Sequence, residues 1–253
     1  MTSQWPLLHH QLDDFTEPWR EQPAPVVLLH PGLAGNGELY RSWVPILTDE
    51  YRVLRIDARG QGRSPRPEGY VWSLAAFVED VVALLDDLQI ERVHWVGASG
   101  GGIIGQHAAA TLTGRIESLV LLATTPRFRS PTNDVNGWLQ PLYRGDVAGF
   151  FRQDTARRFG LDNQARTNWI IDEIARTPAQ TIAELHQWVV GVDLVDNLAR
   201  ITCPTLIITG EQDTLTDLSD AALMQQHIPD SRLDVIEGHP HNVGYTHPHL
   251  VAS

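Results

Sequence analysis

Residues 93–105 read V-H-W-V-G-A-S-G-G-G-I-I-G. An apolar run compatible with a buried strand ends on Gly97, a serine stands between small residues, and a helix-like stretch from Ile103 to Leu112 follows. Gly97-Ala98-Ser99-Gly100-Gly101 matches G-x-S-x-G, a sharp strand-to-helix turn that exposes a serine hydroxyl. The residues two positions either side of that serine must be tiny, because strand and helix nearly collide there. A helix beginning just after Ser99 adds positive potential where negative charge develops during attack on a carbonyl. Gly102 has no role in this pattern beyond close packing of the helix against the sheet. A phosphate-cradling loop is the weaker reading, since G-x-x-x-x-G-K-[ST] is absent.

Outward from this corner, short apolar runs recur: P-V-V-L-L-H (25–30), Y-R-V-L-R-I-D (51–57), S-L-V-L-L-A-T (118–124), P-T-L-I-I-T-G (204–210) and R-L-D-V-I-E (232–237). Near-continuous Val, Leu and Ile is what strands covered on both faces of a parallel sheet require. Between two of the runs, Ser73 can cap a helix whose Leu74, Phe77, Val78, Val81, Leu85 and Leu88 fall on one face. Alternating β and α elements give an α/β class with a mostly parallel sheet flanked by helices. The rhythm breaks over 126–197, which lacks such runs and contains Trp138, Trp169 and Trp188 among its aromatics. The expected organisation is a core of residues 1–125 and 198–253 with a small helical cap at 126–197. The three tryptophans are candidates for an apolar pocket roof.

A serine hydroxyl is a poor nucleophile without an adjacent base that is itself oriented by a carboxylate. On a sheet of this kind the order is serine, then acid, then histidine, each beyond the carboxyl end of a strand. Asp213, just after the run 204–210, is the expected acid, with Glu211 and Asp217 as weaker candidates. His239, just after the run 232–237, is the expected base, and His241 is its rival two residues on. The stretch H-P-H-N-V-G-Y-T-H-P-H gathers His239, His241, His247 and His249, but the interleaved prolines oppose ligand spacing on one helix face. No metal and no organic cofactor are therefore expected. For the oxyanion hole the N–H groups of Gly100 and Leu33 are the candidates, Leu33 lying in the loop H-P-G-L after the first buried run.

The 253 residues suffice for one large α/β domain. A net charge of −12, from 31 acidic and 19 basic residues without like-charge blocks, argues against nucleic acid or an anionic membrane as partner. Cys203 is the only cysteine, so neither a disulfide framework nor a thiolate metal cage can form within one chain. With no leader-like start and no apolar run approaching a membrane span, a soluble cytoplasmic protein acting on a small molecule is expected. The sequence leaves open whether the chain is a homo-oligomer.

These residues together resemble the α/β-hydrolase superfamily over nearly the whole chain, nearest to its serine esterase and lactonase branch such as the 3-oxoadipate enol-lactonases. H-P-G-L resembles the family's oxyanion loop, with Pro31 where that loop carries glycine. R-V-L-R-I-D-A-R-G-Q-G-R-S (52–64) is similar to its D-x-R-G-x-G-x-S segment, and G-E-Q-D and E-G-H match its acid and histidine turns. The family carries a longer final helix than the residues after His239 can form here. The resemblance implies cleavage of a small, mostly apolar ester or lactone through an acyl-enzyme. Serine at position 99 sets aside the haloalkane dehalogenase and epoxide hydrolase branches, which use aspartate. Carbon–carbon bond hydrolases, perhydrolases, lyases, cofactor-free oxygenases and a non-catalytic receptor remain as alternatives on the same fold.

Overall fold

The computed structural model describes residues 5–129 and 134–252. In chain order its strands and α-helices begin with β1 (His10–Asp13), β2 (Val26–His30), the single turn α1 (Val44–Leu47), β3 (Arg52–Ile56), α2 (Leu74–Asp87), β4 (Val93–Ala98), α3 (Gly100–Thr111) and β5 (Ile116–Leu122). There follow α4 (Val135–Trp138), α5 (Gln140–Tyr143), α6 (Val147–Arg152), α7 (Thr155–Phe159), α8 (Gln164–Ile174) and α9 (Ala179–Val189). The chain closes with β6 (Thr205–Gly210), α10 (Leu218–His227), β7 (Ser231–Ile236) and α11 (Val243–Thr246).

The seven strands form one sheet in the order β1-β3-β2-β4-β5-β6-β7, parallel except for β1. Its two faces divide the apolar runs by alternation. Val26, Leu28, Leu54, Trp95, Leu119 and Ile207 face one core with α2 and α3, while Val27, Leu29, Val53, Val96, Leu122 and Ile208 face the other. This two-sided burial is the physical reason the strands read as unbroken apolar stretches. Leu28 and Leu54 are fully buried, so truncating either to alanine should cost about 2–5 kcal/mol. Helix α2 starts as its sequence indicates, with Ser73 Oγ accepting the Ala76 N–H at 3.0 Å.

Edge strand β1 has no apolar run to announce it. It exists through its ladder with β3, His10 opposite Ile56 to Asp13 opposite Val53, reinforced by Arg55 Nε donating to Asp13 Oδ2 at 2.7 Å. Between β5 and β6 the chain makes its longest excursion from the sheet, through helices α4 to α9. The two ends of that excursion meet: Arg127 and Asp193 form an isolated antiparallel bridge, and the Leu194 N–H donates to the Pro126 carbonyl at 2.7 Å.

The D-A-R-G-Q-G-R-S segment braces the loops around the sheet's central strands. Asp57 accepts the Gly37 and Arg63 N–H groups at 2.8 Å each. Arg59 is clamped by Asp80 at 3.0 and 2.5 Å, and Gln61 Oε1 accepts the Ala34 N–H in the loop after β2. Gly62 has φ +55°, and a Cβ there would lie 2.4 Å from Asp57 Oδ2, so glycine is required.

Candidate active site

Ser99 occupies the corner between β4 and α3 with φ 48° and ψ −116°, a conformation that costs a non-glycine residue on the order of 1–3 kcal/mol. The surroundings hold it there. Its N–H donates to the Leu122 carbonyl on β5 at 2.9 Å, and its carbonyl accepts Thr124 Oγ1 at 2.7 Å. The glycines around it have distinct tasks. A Cβ on Gly97 would lie 2.4 Å from the Gly101 carbonyl oxygen, and one on Gly101 would lie 2.4 Å from that of His30. Gly102, unassigned by sequence, makes room for Thr124, whose side chain would sit 2.7 Å from a Cβ at 102.

Asp213, in the turn after β6, is buried, and its carboxylate accepts four hydrogen bonds. Oδ1 takes the Leu215 and Thr216 N–H groups at 2.8 and 3.0 Å; Oδ2 takes Thr216 Oγ1 and His241 Nδ1, each at 2.7 Å. Burial pushes its pKa upward, but His241 and the Thr216 hydrogen bonds outweigh that and hold the carboxyl below its usual range. Of the other acids considered, Glu211 accepts the Gly238 N–H at 2.9 Å and Asp217 caps α10, so both are spent on local structure.

The histidine differs from the sequence expectation. His241, not His239, lies between the acid and the serine, with Nε2 3.1 Å from Ser99 Oγ and Nδ1 on Asp213. His239 points elsewhere: its Nδ1 is 2.7 Å from the Glu237 carbonyl and its ring packs edge-on against His247 at 4.6 Å. The reason is the geometry of the turn after β7. The His239 carbonyl receives the Gln212 N–H at 2.9 Å, and a Cβ on Gly210 would strike that carbonyl oxygen at 2.2 Å. Residue 239 is thus used to lay the histidine turn across the end of β6, and the chain needs two more residues to reach Ser99. The His241 and Asn242 N–H groups then donate to the carbonyls of Arg157 and Arg158 at 3.4 and 2.8 Å, fixing the turn beneath α7.

The loop after β2 presents its backbone in a defined way. The Gly32 N–H donates to Tyr245 Oη at 3.1 Å and the Ala34 N–H to Gln61. The Leu33 N–H, which lies 3.1 Å from where a Cβ on Gly100 would be, makes no hydrogen bond among the described residues. Leu33 and Gly100 both line the cavity that opens on Ser99. Tyr245 was not anticipated from sequence, because nothing local marks a tyrosine 213 residues away as the partner of Gly32. Burial pushes its pKa up to about 12, so the hydroxyl stays neutral while it accepts this N–H.

Above Ser99 lies a cavity of about 60 Å³, room for a few small groups. Its apolar wall includes Ile103, Phe128, Phe151, Ile174 and Val189. Trp138 lines it as expected, but Trp169 and Trp188 do not. Trp188 packs on Phe77 of α2 with ring centroids 5.2 Å apart, and Trp169 packs against the core that joins the excursion helices to the sheet's second face. Sequence could rank these aromatics by type but not by the direction each helix turns them. Arg158 and His186, absent from the sequence expectations, are polar members of the wall.

The arrangement can do defined chemistry. A hydroxyl, an imidazole and an ionised carboxylate in hydrogen-bonded series can move a proton off Ser99, beside the Leu33 N–H, which has no partner among the described residues, and the Gly100 N–H at the start of α3. The chain is similar to known proteins along most of its length. The chain is 29% identical over 222 residues to 3-oxoadipate enol-lactonase 1 of Acinetobacter baylyi, covering 85% of this chain and 81% of that one. It is 30% identical over 235 residues to the pimeloyl-[acyl-carrier protein] methyl ester esterase of Aeromonas hydrophila, covering 88% and 90%. The solved enol-lactonase of Burkholderia xenovorans superposes with a TM-score of 0.86 at 26% identity, over 97% of this chain and 93% of that one. The family described by the alpha/beta hydrolase fold matches residues 25–248, nearly the whole sheet and everything that surrounds Ser99, and the chain belongs to it.

Proposed function

We propose that the protein is a serine hydrolase that cleaves a small carboxylic ester or lactone through an acyl-enzyme. The observation that carries this reading is the unbroken series Ser99 Oγ, His241 Nε2 at 3.1 Å, and His241 Nδ1 to Asp213 Oδ2 at 2.7 Å. The names of the lactonase and esterase relatives support it independently. With the Nδ1 proton donated to Asp213, His241 Nε2 presents its lone pair to the Ser99 hydroxyl. It removes that proton as Oγ attacks the carbonyl carbon.

The oxyanion that forms is received by the Leu33 and Gly100 N–H groups, each such donor contributing about 2.7–4 kcal/mol to the transition state. The imidazolium is stabilised by Asp213, whose other hydrogen bonds hold it ionised. His241 then returns the proton to the departing alkoxide, and water repeats the sequence on the acyl-enzyme. The test is Ser99→Ala: turnover of p-nitrophenyl acetate should fall at least ~1,000-fold, and loss of only a few-fold would overturn the mechanism. A cofactor-free lyase or oxygenase, or a receptor, would not need the serine.

A further inference from the structure

His186 of α9 lines the cavity over Ser99 and takes no part in the mechanism above. It is 6% exposed, and its ring packs edge-on against Trp138 and Phe150 with centroids 5.3 and 5.4 Å away. Nδ1 lies 2.8 Å from the Ile182 carbonyl oxygen, one turn back along the helix. A carbonyl oxygen only accepts, so Nδ1 carries the proton and Nε2 presents a lone pair. Burial pulls the pKa down to about 4, so the ring is neutral at pH 7 and Nε2 stays an acceptor.

His30 shows what a purely structural buried histidine looks like. Its Nδ1 is likewise spent on a backbone carbonyl, but its Nε2 is sealed inside the protein where no ligand can reach. His186 Nε2 also has no partner among the described residues, yet it is not sealed, and its ring stands on a cavity wall. Water meets such an acceptor in solution, so a ligand that displaces this water either supplies a donor or loses affinity. The donor is uncharged: the Arg158 guanidinium on the same wall opposes an ammonium, and no Asp or Glu among the described lining residues offsets it. A hydroxyl is the smallest neutral donor, which suits a cavity of about 60 Å³, whereas an amide N–H brings a carbonyl that needs a donor of its own.

We propose that the substrate is an ester or lactone bearing a hydroxyl that donates to His186 Nε2, which makes His186 a specificity-determining residue. This rests on the hydrolase reading above and narrows its substrate to a class. With substrate bound, the Ile182 carbonyl, the imidazole and the substrate O–H form one continuous series of hydrogen bonds, each polarising the next. A substrate without the hydroxyl leaves Nε2 dehydrated and unmet, and a site built to bond a hydroxyl discriminates against the analogue that lacks it.

The experiment measures kcat/KM, by acid release, for methyl 2-hydroxybutyrate and methyl 3-hydroxybutyrate against methyl butyrate, methyl 6-hydroxyhexanoate against methyl hexanoate, and 2-hydroxyethyl butyrate against propyl butyrate. Dividing each wild-type ratio by the same ratio in His186→Phe cancels the hydroxyl's effect on the ester's own reactivity. For at least one pair the quotient should exceed about 5, and quotients below this for every pair would overturn the proposal. Methyl N-acetylglycinate against methyl 4-oxopentanoate is the N–H arm, and a larger quotient there than in any hydroxyl pair would also overturn it. If His186→Phe does not fold, 15N-histidine NMR on the wild type decides, with the amides that correspond to these esters as ligands. At least one hydroxylated amide should shift the His186 Nε2 resonance where its hydroxyl-free counterpart does not, and no such difference refutes the hydroxyl site. Hydrolysis of none of the esters would count against the hydrolase reading, while the NMR comparison would still decide the hydroxyl site.

Discussion

Lowering the pH from 8 to 5 should weaken the fold by about 4 kcal/mol through two buried histidines alone. His30 is fully enclosed and stacked on Trp95 at 5.4 Å; its Nδ1 donates to the Pro31 carbonyl at 2.9 Å and its Nε2 has no partner among the described residues. His186 donates its Nδ1 proton to the Ile182 carbonyl at 2.8 Å. Burial pulls both pKa values from 6.5 to about 4, and for His186 the nearby Arg158 adds to the effect. As the pH falls through 6.5 the unfolded chain binds protons that the folded chain refuses until about pH 4, so stability is lost across that window and levels off below it. At pH 5 the difference is about 2 kcal/mol per histidine.

Partly buried His94 and His107 are shifted the same way and add to the loss, and Asp220, raised by burial, works in the opposite sense. The assay is urea unfolding at pH 8, 6 and 5 for the wild type and for His30→Asn with His186→Asn, in which amides replace the Nδ1 donors but cannot titrate. The double variant should be less stable at pH 8 yet lose far less on acidification. A wild-type stability constant to within about 0.5 kcal/mol over this range, or an equal loss in the variant, would refute the reasoning.

The crowding at the Ser99 corner predicts that Gly97→Ala and Gly101→Ala each destabilise by about 2 kcal/mol or more, because rigid backbone must move. Gly191→Ala, whose Cβ would meet only the Trp188 carbonyl oxygen at 3.8 Å, should be neutral or stabilising by a few tenths of a kcal/mol in thermal melts. Tyr245→Phe leaves the buried Gly32 N–H without its acceptor, which should cost about 1–3 kcal/mol of stability. In steady-state kinetics it should also reduce kcat more than it raises KM, because the loop it holds carries Leu33.

Much of this molecule is written locally. The unbroken apolar runs report two-sided burial directly, so β2 to β7 are legible, as is α2 from Ser73 and its apolar face. Ser99 and Asp213 are legible because each follows its strand immediately. β1 is not, since His10–Asp13 has no apolar pattern and forms only because β3 offers a ladder. The choice between His239 and His241 was not legible either, because it depends on how the turn after β7 crosses the end of β6, a contact between residues 210 and 239. Tyr245 acts through Gly32, far from it in sequence, and Arg158 reaches the cavity only through the way the excursion helices pack, so no spacing rule marks them.

The claim that organises the site is that His241, not His239, serves Ser99. The direct measurement is kcat/KM for p-nitrophenyl acetate with His241→Ala and His239→Ala side by side, both checked for folding by circular dichroism. His241→Ala should lose at least ~1,000-fold and His239→Ala no more than about 5-fold. The reverse ranking, or a folded His241→Ala that keeps most of its activity, would contradict the account.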